Sequence, residues 1–147
     1  MKQKTLIQIW GKAGSGKTTT IKIIRQELEK KYINVHHTYS LPDGEIYEIF
    51  NCNGLVIGVS SMGDVLATYL RNHLNDCFLQ CDIIIAASRV YNDVSNYLSS
   101  EAKKHNFRLV KATNYRINDV RSVQDEFSQE SAKHIVELID KIILGIL

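Results

Sequence analysis

The chain has 147 residues, 44% hydrophobic and 23% charged, a balance typical of one globular domain and unlike that of disordered or fibrous proteins. Its 18 Lys and Arg residues against 16 Asp and Glu residues give a formal net charge of +2, which does not indicate a nucleic-acid partner. The longest strongly apolar stretch, Ile83 to Ala87, is far shorter than the roughly 20 residues of a bilayer-spanning helix, so no membrane segment is expected. The odd number of cysteines, three, argues against a disulfide scaffold and favours a reducing, cytoplasmic compartment.

Apolar runs and turn signals predict the elements of the first half. Lys17 to Lys31 has apolar residues at helical spacing and a polar end, which predicts a helix. Asn53-Gly54 separates two apolar runs, and because this pair favours a two-residue hairpin turn, the two runs are expected to pair antiparallel. The predicted strands, of which the second is weak, are Thr5 to Trp10, Val35 to Tyr39, Glu45 to Cys52 and Leu55 to Ser60.

The second half continues the alternation. A helix is predicted from Asp64 to about Asn75, a central strand over Asp82 to Ala87, a helix around Val94 to Ala102, a strand over Arg108 to Ala112 and a long C-terminal helix. The polar stretch Arg121 to Glu130 is predicted to be a loop, with Ser128 or Ser131 capping the final helix. Strands separated by helices imply parallel pairing through right-handed crossovers. The expected fold is therefore α/β: one domain over residues 1–147, a three-layer sandwich whose mostly parallel sheet has five or six strands and one antiparallel hairpin.

A glycine-rich segment between the first strand and the first helix carries the strongest functional signal. Gly11-Lys12-Ala13-Gly14-Ser15-Gly16-Lys17-Thr18 fits the pattern G-x-x-x-x-G-K-[ST] in the strand–loop–helix context that the pattern requires. Its backbone N–H groups and the helix N-terminus form an anion cradle. The Lys17 ammonium is expected to reach the β- and γ-phosphates, and the Thr18 hydroxyl to bind Mg²⁺. The predicted nucleotide-binding residues of this segment are Gly11, Ala13, Gly14, Ser15, Gly16, Lys17, Thr18 and Thr19.

On this motif the chain resembles the P-loop NTPase superfamily. The resemblance covers the Walker A segment and the order of strands and helices, and it points to no named subfamily. It implies that the chain binds ATP or GTP together with Mg²⁺. Short P-loop proteins of this kind include both hydrolases and small-molecule kinases.

The acidic half of such a site departs from the usual pattern. A Walker B motif would end a second apolar strand with Asp, whereas the run Leu55 to Ser60 ends in serine. The segment resembles the D-x-x-G element of GTPases, with Ser60 in place of the Asp and Gly63 at the glycine that contacts the γ-phosphate. Ser60 is therefore a candidate magnesium ligand, a weak one because it carries no charge. Asp64 is a candidate for metal binding or for orienting the attacking water, and the alternative for Asp64 is a helix N-cap.

Two further candidates follow later strands, at the edge where α/β folds bind ligands. Arg89 comes after the run Asp82 to Ser88 and is a candidate for binding the γ-phosphate, a substrate phosphate or a partner, with an ordinary surface arginine as the alternative. The N-K-x-D element that gives GTPases their guanine specificity is absent near Arg89, which favours ATP over GTP. Asn114 follows the last strand and is a candidate for hydrogen-bonding a base edge, and Tyr115 or Arg116 is a candidate for stacking on the base. The alternative for these three is an ordinary polar loop.

Three functions remain open on the sequence. The leading one is Mg²⁺-dependent hydrolysis of a nucleoside triphosphate, with Lys17, Asp64 and Arg89 as catalytic residues. The second is a small-molecule or nucleotide kinase. The third is a switch or assembly module that binds nucleotide without efficient turnover and acts through a second copy or a protein partner. A zinc site formed by His73, Cys77 and Cys81 is disfavoured because no fourth ligand is evident.

Overall fold

Strands and helices alternate along the chain. The structure is a computed structural model that describes residues 3–11, 16–32, 44–52, 54–114 and 121–147. Within these residues the strands are β1 (Thr5–Trp10), β2 (Tyr47–Cys52), β3 (Leu55–Ser60), β4 (Ile83–Ser88) and β5 (Arg108–Thr113). The helices are α1 (Lys17–Lys31), α2 (Thr68–Gln80), α3 (Asp93–Lys104) and α4 (Arg121–Ile143).

The five strands form one mixed sheet in the order β2-β3-β4-β1-β5. β4 pairs in parallel with both β1 and β3, and β5 pairs in parallel with β1. β2 pairs antiparallel with β3, with Cys52 opposite Leu55 and Tyr47 opposite Ser60. The predicted hairpin and the mostly parallel sheet are therefore confirmed. The sixth strand candidate, Val35 to Tyr39, lies outside the described residues.

The sheet is buried on both faces because successive side chains of a strand point to opposite sides. Along β1, Ile7 and Ile9 join a core cluster with α1 and α4, whereas Leu6 joins a cluster with α2 and α3. All three side chains are fully buried, and each contributes on the order of 1.5–3 kcal/mol by leaving water. Two helices thus pack on each face, an arrangement compatible with the predicted three-layer sandwich.

The boundaries of two helices differ from the prediction. α2 begins at Thr68, with Ala67 as its N-cap residue, and not at Asp64, because the preceding loop is held against β4. α4 begins at Arg121, so the loop predicted over the polar stretch before Ser131 is wrong. Ser128 and Ser131 do not cap this helix but lie within it, 0% and 4% exposed. The sequence did not indicate a helix here because the buried positions in the first turns of α4 include Ser128 and Ser131, and not only the apolar residues that mark a helical period.

Within the described part of the chain, none of the helices combines the length and the apolar character needed to cross a membrane. The carboxyl ends of β1, β3, β4 and β5 meet at one edge of the sheet, since these strands run in the same direction. The loops that leave this edge carry the candidate functional residues.

Candidate functional site

The last residues of the glycine-rich motif, Gly16 to Thr18, form the start of α1 at the carboxyl edge of the sheet. Gly16 is the N-cap residue of α1 and has a left-handed backbone, with φ at 82°, a conformation that favours glycine. Gly11 directly follows β1, and its N–H donates to the carbonyl of Ser88 at 3.1 Å. The predicted cradle residues Ala13, Gly14 and Ser15 lie outside the described residues.

The side chain of Lys17 turns back toward the end of β1. Its Nζ donates to the carbonyl of Gly11 at 2.6 Å and lies 4.0 Å from Oδ1 of Asp64. The residue is 7% exposed, and burial lowers the pKa of the ammonium while the neighbouring Asp64 opposes that shift. A partly desolvated cation is thereby held beside the helix N-terminus, where an anion is favoured.

Asp64 and Arg89 form an ion pair between the loops that follow β3 and β4. Arg89 Nε donates to Asp64 Oδ1 at 3.0 Å, and the Arg89 N–H donates to the carbonyl of Gly63 at 3.2 Å. Asn92 Nδ2 donates to the same carbonyl at 2.8 Å. The alternative that Asp64 caps α2 is wrong, because Ala67 occupies that position.

Gly63 permits the close approach of these two loops. A Cβ at Gly63 would lie 2.8 Å from the backbone carbon of Ala87 and 2.8 Å from the backbone nitrogen of Ser88. Both contacts are with backbone that cannot move aside, so only glycine fits. The structure thus gives Gly63 a packing role at the cavity wall, whatever its contact with a phosphate.

Glu45 is a functional candidate that the sequence interpretation missed. Its carboxylate oxygens lie 3.3 and 3.4 Å from Thr18 Oγ1, which are long hydrogen-bond contacts. The carboxylate also accepts a short hydrogen bond from Ser61 Oγ. A signal was present in the hairpin: counting back from the Gly54 turn places the residues just before β2 opposite Ser61, which follows β3.

Ser60 and Ser61 have different places although they are neighbours. Ser60 ends β3 between Tyr47 and Ala86 and is 1% exposed. Its Oγ is buried and has no hydrogen-bond partner within the described residues. Ser61, in contrast, lines the cavity next to Thr18, so the structure brings Ser61 to the candidate metal ligands and leaves Ser60 inside the sheet.

A cavity of about 380 Å³ at the carboxyl edge is lined by most of the described candidate residues, but not by Ser60, Arg89 or Asn114. One lysine and three acidic side chains face it, together with hydroxyl groups from α1 and from the segment after β3. This mixture of a cation, helix N–H groups and oxygen ligands suits a phosphate group bound with a hard cation. The lining residues are Gly16, Lys17, Thr18, Thr19, Glu45, Ser61, Gly63, Asp64, Gln124 and Asp125.

Asn114, predicted to contact a base, is tied to the two helices beside the cavity. Its Oδ1 accepts from Thr20 Oγ1 at 2.6 Å, and its Nδ2 lies 3.5 Å from Ser128 Oγ. Gln124 Nε2 donates to the same hydroxyl at 3.3 Å. Asn114 thus connects β5, α1 and α4 behind Gly16. The other base candidates, Tyr115 and Arg116, lie outside the described residues.

The histidine and cysteines of α2 are packed in the core. His73 Nε2 lies 2.9 Å from the carbonyl of Val59, to which the neutral ring donates. Cys77 and Cys81 are buried beside Gly58, where a Cβ would lie 2.6 Å from the sulfur of Cys77. Among the described residues, no group of three or more His, Cys, Asp or Glu side chains could hold a metal ion by itself.

Comparison of the chain with protein-family models, with curated proteins and with solved structures found no match. The function of the site therefore has to be inferred from the motif and from the side chains that line the cavity. The groups that line the cavity come from the N-terminus of α1, from the segments next to β2 and β3, and from α4, which are far apart along the chain.

Proposed function

We propose that the chain binds a nucleoside triphosphate, preferably ATP, with Mg²⁺ and hydrolyses its terminal phosphoanhydride. The observation that carries this proposal is the position of Lys17 and Thr18. They begin α1 at the carboxyl edge of the parallel strands and line the same cavity as Asp64. This is the context in which the Walker A pattern serves phosphate binding. The P-loop fold class and the preference for ATP are parts of the same proposal.

Two cations support the binding of a triphosphate: Lys17 lines the cavity, and Arg89 is paired with the lining residue Asp64. Lys17 would exchange its contacts with Gly11 and Asp64 for oxygens of the β- and γ-phosphates. Arg89 is half-exposed beside Asp64 and would contact the terminal phosphate. Both cations would then neutralise negative charge that develops as the bond between the γ-phosphorus and the bridging oxygen breaks.

The oxygen ligands at the cavity suit Mg²⁺, which prefers hydroxyl, carboxylate and phosphate oxygens. The Thr18 hydroxyl, together with a carboxylate of the cavity wall, would hold the ion. When bound, Mg²⁺ would supply positive charge between the phosphates. Water attacks the γ-phosphorus in this reaction, and the Asp64 carboxylate, adjacent to Gly63, would orient that water.

Phosphate release from ATP and from GTP, measured with Mg²⁺ for the wild type and for Lys17→Ala, tests the proposal. Loss of the buried ammonium is expected to reduce release at least about a hundredfold. Lys30→Ala is the matched control, because Lys30 lies on the same helix with its side chain 73% exposed and paired with Glu27. Release that is unchanged in Lys17→Ala would come from a contaminating enzyme and would contradict the proposal.

A nucleotide-dependent switch is a second candidate, favoured by apolar side chains exposed beside the site. Val65, Tyr69 and Tyr91 are 63%, 47% and 92% exposed, and they lie in or next to the loops that carry Asp64 and Arg89. Exposed apolar and aromatic side chains next to functional loops are typical of protein interfaces. In this case a second copy or another protein would bind here when nucleotide is present.

Sedimentation with and without a non-hydrolysable ATP analogue distinguishes the switch from the simple hydrolase. The switch predicts nucleotide-dependent self-association, or capture of a partner, that Tyr91→Ser weakens. Leu79→Ser is the control, because Leu79 is 64% exposed near the end of α2, away from the site. Turnover with no change in assembly would favour the hydrolase alone.

A further inference from the structure

β3 does not end in the Asp that a Walker B motif would place there, but a carboxylate from the segment before β2 lies at this position of the site. β3 ends in Ser60, and the residue that follows, Ser61, has a hydroxyl in place of an acid. That hydroxyl contacts the carboxylate of Glu45, which precedes β2. Glu45 in turn lies 3.3 Å from the hydroxyl of Thr18. A carboxylate therefore stands next to the proposed magnesium ligand although no acidic residue ends β3.

The position of Glu45 is fixed through its neighbour on the hairpin. The N–H of Ile46 donates to Ser61 Oγ at 2.7 Å, and the N–H of Ser61 donates to the carbonyl of Ile46 at 3.0 Å. Ser61 Oγ accepts the first of these bonds and donates to Glu45. Three hydrogen bonds of Ser61 thus hold the segment before β2 beside Thr18.

A buried ion pair between Arg25 and Glu48 also joins α1 to β2, the strand that follows Glu45. Arg25 Nε donates to the Glu48 carboxylate at 2.9 and 3.2 Å. Arg25 lies seven residues after Thr18 on α1, and Glu48 lies three residues after Glu45. Two polar links thus join α1 to this part of the hairpin, one just before β2 and one within it, and both keep Glu45 near Thr18.

The second carboxylate of the site faces different partners. Asp64 pairs with Arg89 at 3.0 Å and approaches Lys17 at 4.0 Å. Asp64 therefore stands between the two cations proposed to contact the terminal phosphate, whereas the close contacts of Glu45 are the hydroxyl groups of Thr18 and Ser61. Glu45 also raises the pKa of Lys17, but less than Asp64 does. Mg²⁺ binds hydroxyl and carboxylate oxygens and is repelled by cations, so the hydroxyl side of the cavity is the better place for the ion.

We infer that Glu45, and not Asp64, is the carboxylate that holds Mg²⁺ together with Thr18, and that Ser61 is the residue that positions it. This inference rests on the proposed function. It assigns the metal to the Glu45 side of the cavity and leaves Asp64 and Arg89 to the terminal phosphate and the attacking water.

Titration calorimetry with a non-hydrolysable ATP analogue, once with Mg²⁺ and once with EDTA, tests the inference without catalysis. The quantity of interest is the ratio of the two dissociation constants. Glu45→Gln is expected to reduce the tightening by Mg²⁺ at least about tenfold, as removal of a metal-supporting carboxylate does elsewhere. In EDTA the same variant should bind the analogue at least as tightly as the wild type, because a negative charge near the phosphates is gone.

Three further variants make the result specific. Asp125→Asn removes an acidic side chain from the same cavity wall and should leave most of the effect of Mg²⁺. Glu45→Asp should restore part of the effect, and Ser61→Ala should lose part of it while binding in EDTA is preserved. Thermal unfolding of each variant verifies that it folds.

The outcomes separate the inference from the proposed function. If the wild type binds no analogue under either condition, the proposed function fails and the inference fails with it. If the wild type binds with help from Mg²⁺ and Glu45→Gln retains the full effect, the inference is overturned and the proposed function stands. Loss of the effect in Asp64→Asn alone would also overturn the inference, by assigning the metal to the other carboxylate.

Discussion

The ammonium of Lys17 lies 4.0 Å from Oδ1 of Asp64, which joins the first turn of α1 to the loop after β3. The same carboxylate oxygen accepts from Arg89, and both Asp64 and Arg89 have side chains that are nearly half exposed. Ion pairs this accessible to water contribute about 0–1 kcal/mol to folding because solvent screens them. The exposed pair of Asp64 and Arg89 is therefore expected to contribute little to stability, which agrees with its proposed role toward a ligand.

Asp64→Asn is accordingly expected to separate stability from activity. The free energy of unfolding, measured by urea denaturation, should change by less than about 1 kcal/mol. Phosphate release should fall at least about tenfold, because the variant loses the charge proposed to orient water. A large loss of stability together with unchanged turnover would show instead that Asp64 has only a structural role.

Much of the sheet could be predicted because its signals are local. The apolar run Ile83 to Ala87 and the run Thr5 to Trp10 are buried strands, as their composition indicates. The Asn53-Gly54 pair in the sequence predicts the hairpin in which Cys52 pairs with Leu55. In each case the residues that specify the element are its own.

Features decided by contacts between distant residues could not be predicted in the same way. The loop after β3 extends to Ala67 because Gly63 and Asp64 are held by Arg89 and Asn92 from the loop after β4. The place of Glu45 depends on contacts with residues 27 positions before it and 16 positions after it. The hairpin pattern brings Glu45 near Ser61, but no pattern within one segment reports the contact of Glu45 with Thr18 or the contacts between the loops after β3 and β4.

Alanine variants of Gly16 and Gly54 separate two costs to stability: the strain of a left-handed backbone and the crowding around an added Cβ. Both glycines have φ above 80°, but a Cβ at Gly16 would lie 2.8 Å from Asn114 Nδ2 and 3.0 Å from Ser128 Oγ, whereas a Cβ at Gly54 would meet nothing within 4 Å. Gly54→Ala should cost about 1–2 kcal/mol of folding stability, the strain of a left-handed alanine. Gly16→Ala should cost more, because the side chains of Asn114, Ser128 and Gln124 would also have to give way.

The difference between these two variants measures the crowding behind the phosphate site. Urea denaturation gives both free energies, and calorimetry with the ATP analogue should show that only Gly16→Ala weakens binding. Equal costs in stability would mean that Asn114 and Ser128 move aside freely, which would contradict a fixed connection between β5, α1 and α4.

Replacing only one partner of the Arg25–Glu48 ion pair is expected to cause a large loss of folding stability. Glu48 is 1% exposed and Arg25 is 7% exposed, and Arg25 also contacts Glu29. Arg25→Met would leave a buried carboxylate without its guanidinium, at a cost of about 3–5 kcal/mol. The double variant Arg25→Met, Glu48→Met should recover much of that loss. Urea denaturation of the wild type, the two single variants and the double variant then gives the interaction energy of the pair by a double-mutant cycle.

The same variant should respond to pH in a defined direction. Burial raises the pKa of Glu48, and Arg25 opposes that shift, so removing Arg25 raises the pKa further. A carboxyl with a raised pKa in the folded state loses stability as the pH rises through that value. The free energy of unfolding of Arg25→Met should therefore approach that of the wild type as the pH is lowered from 7 to 5. A constant difference across this range would contradict the assignment.

His73 predicts a pH dependence with the opposite sign. Burial lowers the pKa of the imidazole, partly opposed by its bond to the Val59 carbonyl and by the nearby Asp76. In the unfolded chain the ring takes up a proton near pH 6.5. The stability contributed by the neutral, buried ring is therefore complete above pH 6.5 and is lost as the pH falls toward the lower pKa of the folded state.

Urea denaturation between pH 7.5 and pH 5.5 should thus show a decline in the free energy of unfolding that His73→Gln largely removes. Glutamine retains an N–H donor for the Val59 carbonyl, so this variant removes the titration while the hydrogen bond can be kept. An NMR titration of the folded wild type should find the ring neutral below pH 6.5. Protonation of His73 at or above that pH, with an unchanged structure, would show that water or a compensating charge reaches the ring between α2 and β3.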